Sequence, residues 1–278
     1  MEVFCTLDAL RPALDALRRR RGQVALVPTM GALHEGHLSL VRAAAASGAG
    51  VVASIFVNPL QFGLGEDLAR YPRDEAGDLA LLAGGGCELA WLPDVGTMYP
   101  PGDATTLEVG GPAEGWEGAH RPGHFRGVAT VVAKLFGQVG PDAAYFGEKD
   151  WQQVQVVARM ASDLLLPVRV VALPTVRDAD GLALSSRNRF LNPAQRALAS
   201  RFPAVLCATV AALRAGAPTG PALAAARDQL AQPGLAVDYL DLVHAMTLER
   251  LTAVAAPSRL IAAVQLGGVR LLDNFAVA

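Results

Sequence analysis

Two histidines three residues apart carry the clearest chemical signal in this sequence. His34 and His37 lie in the segment 28–37, PTMGALHEGH, between a predicted buried strand and a predicted helix. Free backbone amides and the helix dipole favour an anion at such a helix start. Two neighbouring imidazoles can donate hydrogen bonds to phosphate oxygens as negative charge builds up in a transition state. The alternatives are capping, packing or metal ligation, but no third ligand is near in sequence and Glu35 should face elsewhere. The position after a strand and a glycine turn favours phosphate binding.

A serine–serine–arginine run forms a second candidate phosphate site. Ser185, Ser186 and Arg187 belong to the segment ALSSRN, which follows PTVRD. Two hydroxyls and a guanidinium on a loop could wrap a triphosphate. Helix capping is the alternative, and it would be the better interpretation of this run taken alone.

A lysine in YFGEKDWQQ, residues 145–153, forms the third candidate. The chain has 24 lysines and arginines, and only Lys134 and Lys149 are lysines, so 24 − 2 = 22 are arginines. Because the two cations differ chemically at phosphate sites, Lys149 is a sensible phosphate partner. Asp150 could accept hydrogen bonds from ribose, and Gln153 is expected to point into the same cleft. A solvated Glu-Lys-Asp turn is an equally good interpretation of the segment alone.

Two neutral amides follow the second predicted strand, in FVNPLQF at residues 56–62. Asn58 and Gln61 are flanked by apolar residues, which suits a pocket that orients a small polar substrate. The alternative, that the two amides satisfy their own loop, would be the better interpretation of this motif taken alone. Arg121 and His124 in RPGHF are weaker candidates, which either meet a substrate or brace a loop.

The predicted elements that must position these residues alternate between strand and helix. Continuous apolar runs predict strands, and three- and four-residue apolar spacing predicts helices. The expected strands are 23–27, 51–57, 88–92, 143–146 and 168–173, and the expected helices are 5–20, 36–46, 74–83, 127–139 and 152–164. This alternation predicts a doubly wound α/β domain with a parallel sheet, whose ligands bind at the carboxyl edge of the strands.

The chain changes character near Val176. Predicted helices at 193–214 and 221–231 and strands at 237–243 and 260–266 indicate a smaller α+β domain. We therefore expect a catalytic domain over 1–175 and a smaller C-terminal domain over 176–278.

Composition limits the class of protein. The 278 residues are 52% hydrophobic and 18% charged, with a formal charge of −2, so no global basic field favours nucleic acid. Cys5, Cys87 and Cys207 lack paired spacing, which favours reduced, buried thiols. The N-terminus has the reverse charge order of a signal peptide, and no apolar run is expected to be long enough to span a bilayer. These features predict a cytoplasmic protein with no membrane or nucleic-acid partner.

Seven segments in this order resemble the pantothenate synthetase family of the H-x-G-H nucleotidyltransferase group. They cover nearly the whole chain and are PTMGALHEGH, FVNPLQFG, DLARYPRD, RPGHFRGV, FGEKDWQQ, PTVRDADGLALSSRN and RLLDN. The resemblance implies a Rossmann-like nucleotidyltransferase domain and an ATP-dependent reaction. In that reaction pantoate forms a pantoyl adenylate with release of pyrophosphate, and β-alanine then displaces AMP to give pantothenate. The adenylate hydrolyses easily, so the cleft must exclude water.

The resemblance also implies residue roles, with the segments meeting around one triphosphate. The implied catalytic residues are His37, often assigned as the proton donor, His34, Lys149, Ser185, Ser186 and Arg187. The implied ATP-binding residues are Met30, Gly31, Ala32, Leu33, His34, Glu35, Gly36, His37, Gly147, Glu148, Lys149, Asp150, Val176, Leu184, Ser185, Ser186 and Arg187. Gln61 and Gln153 would bind pantoate, and Gln61 would also bind β-alanine.

The chain departs from the family pattern at two places. Leu184 replaces the usual Met, a nearly volume-conserving change. Gly77 and Leu81 replace groups that lie near Mg²⁺ in some relatives, which leaves Asp78. We therefore expect no protein metal site, with Mg²⁺ held mainly by the ATP phosphates, and no tightly bound organic cofactor. Family resemblance also implies a homodimer, and glycines would permit the segment 63–67 to close as a lid.

Two other functions fit parts of the sequence. A related nucleotidyltransferase could pass AMP or CMP to another acceptor, and it would share the two histidines without requiring Gln61 and Gln153 together. A nucleotide-binding regulatory protein would bind ATP without pantoate-dependent release of pyrophosphate. A role in charging tRNA is disfavoured, because the sequence shows no anticodon-binding domain or basic extension.

Overall fold

The computed structural model describes residues 1–63 and 65–278. Leu64, within the predicted lid segment 63–67, lies outside the described residues. The chain divides into two compact units. The first comprises Met1–Gly147 and Val156–Leu173, and the second comprises Glu148–Gln155 and Pro174–Ala278.

A six-stranded parallel sheet organises the first unit. Its spatial order is β1-β4-β3-β2-β5-β6, and every pairing is parallel. The strands are β1 Glu2–Phe4, β2 Val24–Thr29, β3 Gly50–Ile55, β4 Leu89–Trp91, β5 Ala143–Gly147 and β6 Arg169–Leu173. From β2 the chain adds β3 and β4 on one side and then returns to add β5 and β6 on the other. This is the predicted doubly wound α/β arrangement.

Helices cover this sheet, whose central strands are mostly apolar and buried. Leu26 and Val27 of β2 and Val52 and Ala53 of β3 are completely buried, as expected for parallel strands covered on both faces. The helices before residue 164 are α1 Leu7–Arg21, α2 Glu35–Ala46, α3 Glu75–Gly84, α4 Val95–Met98, α5 Trp116–His120, α6 His124–Val139 and α7 Trp151–Asp163. Residues of α2, β2 and β3 form one continuous apolar core.

An antiparallel three-stranded sheet organises the second unit. Its order is β7-β8-β9. The remaining elements are α8 Pro193–Ala199, α9 Arg201–Arg214, α10 Thr219–Leu230, β7 Leu235–His244, β8 Ser258–Leu266 and β9 Val269–Ala276. Side chains from α9, α10 and all three strands share one hydrophobic core. The predicted smaller α+β fold is therefore confirmed, although β9 was not predicted.

The predicted helix over 193–214 is two helices, with Ser200 between them. Pro203 explains the break, because proline has no amide hydrogen and fits only the first turn of a helix. By length and composition alone, Pro193–Arg214 is long and apolar enough to cross a membrane, contrary to the sequence expectation. Phe202 and Leu206 are buried in the core of the second unit, which accounts for the apolar composition.

The three cysteines are free thiols, but only one has the predicted burial. Cys87 is buried, whereas Cys5 and Cys207 are exposed. Burial raises the pKa of the Cys87 thiol to about 11, so Cys87 stays protonated at neutral pH. Cys5 lies just after the short edge strand β1, and Cys207 lies on an outer position of α9. The prediction of buried thiols is therefore wrong for these two residues.

Candidate active site

The order of the strands in the sheet reverses at β2 and β5: β3 and β4 lie on one side of β2, and β5 and β6 lie on the other. Strands β2 and β5 are neighbours and parallel, so Thr29 and Gly147 end them at the same edge of the sheet. In open α/β sheets the connections diverge at such a switch point, and a ligand crevice opens outside the carboxyl ends of the strands. The two-histidine segment follows β2 directly, and the segment containing Lys149 follows β5.

The turn after β2 is held by a buried carboxylate. Asp78 of α3 is 3% exposed. Its Oδ2 accepts the backbone N–H of Ala32 at 2.8 Å and its Oδ1 accepts that of Leu33 at 2.7 Å. Ala32 has a φ of 50° and Gly31 a φ of 79°, in the left-handed region that costs energy for any residue with a side chain. A Cβ on Gly31 would lie 2.8 Å from Oδ2 of Asp78. The carboxylate therefore stabilises a strained turn that leads into the histidines.

The two histidines cap the start of α2 in a reciprocal arrangement. Nδ1 of His34 accepts the N–H of Gly36 at 3.1 Å, and Nδ1 of His37 accepts the N–H of His34 at 3.3 Å. The ring centroids are 4.2 Å apart. Because Nδ1 is an acceptor in both rings, each neutral imidazole carries its proton on Nε2. Exposed Glu35 pairs with Arg42 along the same helix.

Asn58 fixes the orientation of Gln61. Nδ2 of Asn58 donates to Oε1 of Gln61 at 3.0 Å and to the carbonyl oxygen of Gly127 at 3.1 Å. Its Oδ1 accepts the hydroxyl of Tyr99 at 2.7 Å and the N–H of Leu60 at 3.2 Å. Asn58 is 1% exposed, and these four bonds use its full hydrogen-bonding capacity. Asn58 therefore orients the Gln61 amide rather than reaching a ligand.

Nε2 of Gln61 points toward the turn after β2, which leads into the two histidines. It lies 3.1 Å from Sδ of Met30, and Gln61 is 8% exposed. Its main chain rests on helix α6, where a Cβ added to Gly127 would lie 2.6 Å from the backbone nitrogen of Gln61. Only glycine permits this approach. The loop after β3 and the turn after β2 therefore meet at the Met30–Gln61 contact.

Arg121 and His124 brace the Gln61 loop. Arg121 forms a two-pronged ion pair with Glu66, at 2.9 and 2.6 Å, and donates to the carbonyl oxygen of Gln61 at 3.2 Å. Nδ1 of His124 lies 2.9 Å from that same oxygen, and its Nε2 lies 3.1 Å from Nη1 of Arg121. Burial alone would raise the pKa of Glu66, but the hydrogen bond and charge of Arg121 outweigh it, and the pKa lies below its usual value. Of the two roles considered from sequence, these contacts support bracing.

The segment after β5 makes one 3₁₀ turn, Glu148–Asp150, before α7 begins at Trp151. Lys149 is one-fifth exposed, and its Nζ lies 3.4 Å from Oδ1 of Asp150. Gln153 lies on the first turn of α7 and is partly exposed. The second unit thus holds an ammonium group on a short turn, with an acidic neighbour in weak contact.

The serine–serine–arginine run follows a small hairpin in the second unit. The N–H of Leu184 donates to the carbonyl oxygen of Val176 at 3.0 Å. Ser185 caps the 3₁₀ helix Ser186–Phe190, since its Oγ accepts the N–H of Arg187 at 3.3 Å. Ser186 is buried, whereas Arg187 is partly exposed. The capping alternative therefore describes the geometry of Ser185, and its role toward ATP stays a prediction.

Sequence reasoning missed the role of Asp78. The family pattern suggests that residue only as a possible metal neighbour, whereas its two oxygens bind main-chain amides 46 and 45 positions earlier. The spacing along α3 carried a signal for this role. Asp78 and Leu82 are four residues apart on α3, and both are buried, so a carboxylate occupies the core-facing side of the helix. Such a residue needs hydrogen-bond partners inside the fold.

The sequence matches the family model described as pantoate-beta-alanine ligase over residues 2–276. The pantothenate synthetase of Acidiphilium cryptum is 62% identical over all 278 residues and is itself fully covered. That of Granulibacter bethesdensis is 56% identical, with 99% of this chain and 96% of the relative covered.

Two solved structures share the fold. The crystal structure of pantothenate synthetase from Thermus thermophilus has a TM-score of 0.95 at 50% identity, with 100% of this chain and 99% of that chain covered. Pantoate-beta-alanine ligase from Francisella tularensis, in complex with beta-gamma ATP and β-alanine, has a TM-score of 0.81 at 29% identity, with 99% and 97% covered. The chain therefore belongs to the pantoate-beta-alanine ligase family.

Proposed function

We propose that this protein joins pantoate to β-alanine through a pantoyl-adenylate intermediate. The pantoate carboxylate attacks the α-phosphorus of ATP, an O–P bond forms, and pyrophosphate leaves with the electrons of the broken P–O bond. The amine of β-alanine then attacks the acyl carbon, AMP leaves, and the nitrogen loses a proton to give pantothenate. Membership of the family and the Francisella tularensis complex with beta-gamma ATP and β-alanine support this reaction.

The arrangement of His34 and His37 carries the proposal for the first step. Both rings keep Nδ1 on the main chain, so each neutral ring has an Nε2–H donor. Such donors can stabilise negative charge on the phosphate oxygens as pyrophosphate departs. The positive end of the α2 helix dipole at the switch point favours the same charge.

The other ATP contacts are assigned by family resemblance. Lys149 would contact phosphate, Asp150 would accept the ribose hydroxyls, and the Val176 main chain would meet adenine. The further proposed ATP-binding residues are Met30, Gly31, Ala32, Leu33, Glu35, Gly36, Gly147, Glu148, Leu184, Ser185, Ser186 and Arg187. Mg²⁺ would enter with ATP and be held mainly by its phosphates, and no tightly bound organic cofactor is invoked.

Gln61 and Gln153 are the proposed pantoate ligands, and Gln61 would also meet β-alanine. The bond from Asn58 commits Oε1 of Gln61 and directs its Nε2 toward Met30. An amide nitrogen in that position can donate to a hydroxyl or carboxylate of the substrate. A fixed donor in a mostly apolar surrounding suits a small polar acid.

Oxygen labelling tests the intermediate directly. The purified protein is incubated with ATP, β-alanine and pantoate that carries ¹⁸O in its carboxylate. Attack at the α-phosphorus transfers one labelled oxygen to AMP. Label in inorganic phosphate, with ADP as product, would show attack at the γ-phosphorus and refute the adenylate. Omission of β-alanine should leave pantoate-dependent exchange of pyrophosphate into ATP while abolishing turnover to AMP.

The proposed setting is a cytoplasmic homodimer. The relatives are biosynthetic enzymes by their names, and the family resemblance carries the dimer. Light scattering on the purified protein should give twice the chain mass of 29.0 kDa. A mass equal to that of one chain would refute the dimer.

A further inference from the structure

The proposed reaction assigns no role to the segment RLLDN, residues 270–274. It lies in β9, the last strand of the antiparallel sheet. Asp273 is 3% exposed and Asn274 is 5% exposed. Polar side chains this deeply buried require hydrogen-bond partners. These partners show which parts of the chain the strand keeps in place.

Asn274 binds the main chain of the turn that carries Lys149. Its Nδ2 donates to the carbonyl oxygen of Glu148 at 2.8 Å and to that of Lys149 at 2.9 Å. Its Oδ1 accepts Nη1 of Arg259 on the neighbouring strand β8. A carboxamide is the short side chain that supplies two donors from one nitrogen together with an acceptor. Both donors of Asn274 are spent on consecutive carbonyls of one turn.

Arg259 contacts the side chains of Glu148 and Trp151, at either end of the same turn. Its Nη2 lies 3.1 Å from Oε2 of Glu148, and its guanidinium carbon lies 3.7 Å from the centre of the Trp151 ring. Arg259 is 7% exposed. Such a stacked and paired guanidinium has little freedom. The turn 148–150 is therefore fixed on both flanks of Lys149.

The Lys149 side chain itself is held weakly. Its contact with Asp150 is 3.4 Å long, near the limit for a hydrogen bond. The four-carbon stem is flexible. The position of the ammonium group consequently depends on where the backbone of Lys149 is placed, and Asn274 places it.

The neighbouring residue Asp273 ties the same strand to the hairpin that precedes Ser185. Its carboxylate accepts both terminal nitrogens of Arg177, at 2.7 and 2.8 Å. Arg177 also donates to the carbonyl oxygen of Gly181 within the hairpin that precedes Ser185. This bidentate pair fixes the position of β9 relative to the loops of the second unit, so Asn274 acts from a rigid base.

We infer that Asn274 is a positioning residue for Lys149, which it holds where the ammonium group stabilises the departing phosphates. The inference rests on the proposed reaction. Placement matters because electrostatic stabilisation of a transition state requires groups that are already in position, and a displacement of about 1 Å can cost on the order of 100-fold in rate.

A double-mutant cycle between Asn274 and Lys149 tests the inference. Asn274→Ala removes both donors, and Asn274→Asp keeps the shape while replacing them with an acceptor. The assay is pantoate-dependent exchange of labelled pyrophosphate into ATP. Each variant should lower kcat/KM by about 10- to 100-fold in the wild-type background. In the Lys149→Ala background each Asn274 variant should change kcat/KM by about twofold or less, because the residue that Asn274 positions is then absent. About twofold is the usual experimental deviation from additivity.

Asp238→Asn supplies the matched control. Asp238 pairs with Arg270 across the same sheet, and Arg270 lies four residues from Asn274, about 13 Å along β9. This variant should lower the unfolding temperature of the protein without lowering exchange. Equal effects of the Asn274 variants in both Lys149 backgrounds would overturn the inference, as would unchanged exchange or loss of fold in both variants. Failure of the proposed function itself would appear separately, as wild-type protein that lacks pantoate-dependent exchange.

Discussion

Nδ2 of Asn58 donates to Oε1 of Gln61 at 3.0 Å, inside a loop where both residues are buried. This bond determines which end of the Gln61 amide is available as a donor. Removal of the Asn58 side chain lets the amide rotate and removes one hydrogen bond to the carbonyl oxygen of Gly127.

We expect Asn58→Ala to raise the KM for pantoate and to lower kcat/KM by about 10- to 100-fold, because Gln61 is no longer held in one orientation. Steady-state kinetics with varied pantoate measure the effect. Tyr99→Phe is the control, since it removes one donor to the other end of Asn58 while the bond to Gln61 remains. A folded Asn58→Ala protein with an unchanged KM for pantoate would contradict the role assigned to this bond.

His37→Ala should lower the rate of adenylate formation by about 10²- to 10³-fold, the usual loss when one transition-state donor is removed. Affinity for ATP should change much less, because the imidazole acts mainly on charge that develops during the reaction. Single-turnover formation of the adenylate and equilibrium binding of ATP separate the two quantities. Arg42→Gln, an exposed position on the same helix, should behave as wild type. Near-normal adenylate formation in His37→Ala would remove this histidine from the mechanism.

Asp78→Asn should impair adenylation and stability together. The new amide group replaces one carboxylate oxygen and opposes a backbone N–H of Ala32 or Leu33. We expect a loss of about 1–3 kcal/mol in the free energy of unfolding and about a 10-fold or greater drop in the single-turnover rate. Urea denaturation and rapid-quench measurements provide the two values.

Asp74→Asn is the matched control for that change. Asp74 caps the same helix through the N–H of Gly77, but it is exposed and does not contact the turn. This variant should lower the free energy of unfolding by at most about 1 kcal/mol and leave the adenylation rate unaltered. An Asp78→Asn protein that loses stability without losing adenylation rate would show that the carboxylate only supports the fold.

The Glu66–Arg121 ion pair predicts a pH dependence of stability. The pKa of Glu66 is lower in the folded protein than its usual value near 4.5. An acid with a lowered folded-state pKa stabilises the fold above its unfolded pKa and loses that contribution as the pH falls through its folded-state pKa. Glu66→Gln should therefore reduce the free energy of unfolding at pH 7, by no more than about 1 kcal/mol because the group is partly exposed.

Urea denaturation at several pH values tests this dependence. The difference between wild type and Glu66→Gln should be constant from pH 7 to about 5 and should shrink toward zero in more acidic solution. A difference that grows as the pH falls would mean that the ion pair is not the source of the stabilisation.

The fold class and the positions of the candidate nucleotide-binding segments were predictable because they depend on local pattern. β2 and β3 are continuous apolar runs that end in turn residues, and such runs are typical of buried parallel strands. Strand β9 escaped prediction for a physical reason. Asp273 faces the interior, so the apolar alternation that indicates a strand is broken by a carboxylate whose partner, Arg177, lies 96 positions away.

The same distance effect hid most of the supporting residues. His34, His37 and Lys149 stand in recognisable local motifs, but the turn before the histidines and the turn that carries Lys149 are held by groups far away in sequence. Asp78 is more than forty residues from the turn it binds, and Asn274 is 125 residues from Lys149. A single sequence carries no sign of such pairings beyond a polar residue at a core-facing position. Exposure of Cys5 and Cys207 likewise depends on tertiary packing that their spacing does not encode.

The bare backbone of Gly127 has a consequence for how this protein can evolve. The main chain of helix α6 packs directly against the loop that carries Asn58 and Gln61. An exposed side chain of that helix, such as Arg126, can therefore change without altering this contact. One methyl group at position 127 would lift the loop and misdirect Gln61. The position of the loop therefore depends on the smallest residue of this helix.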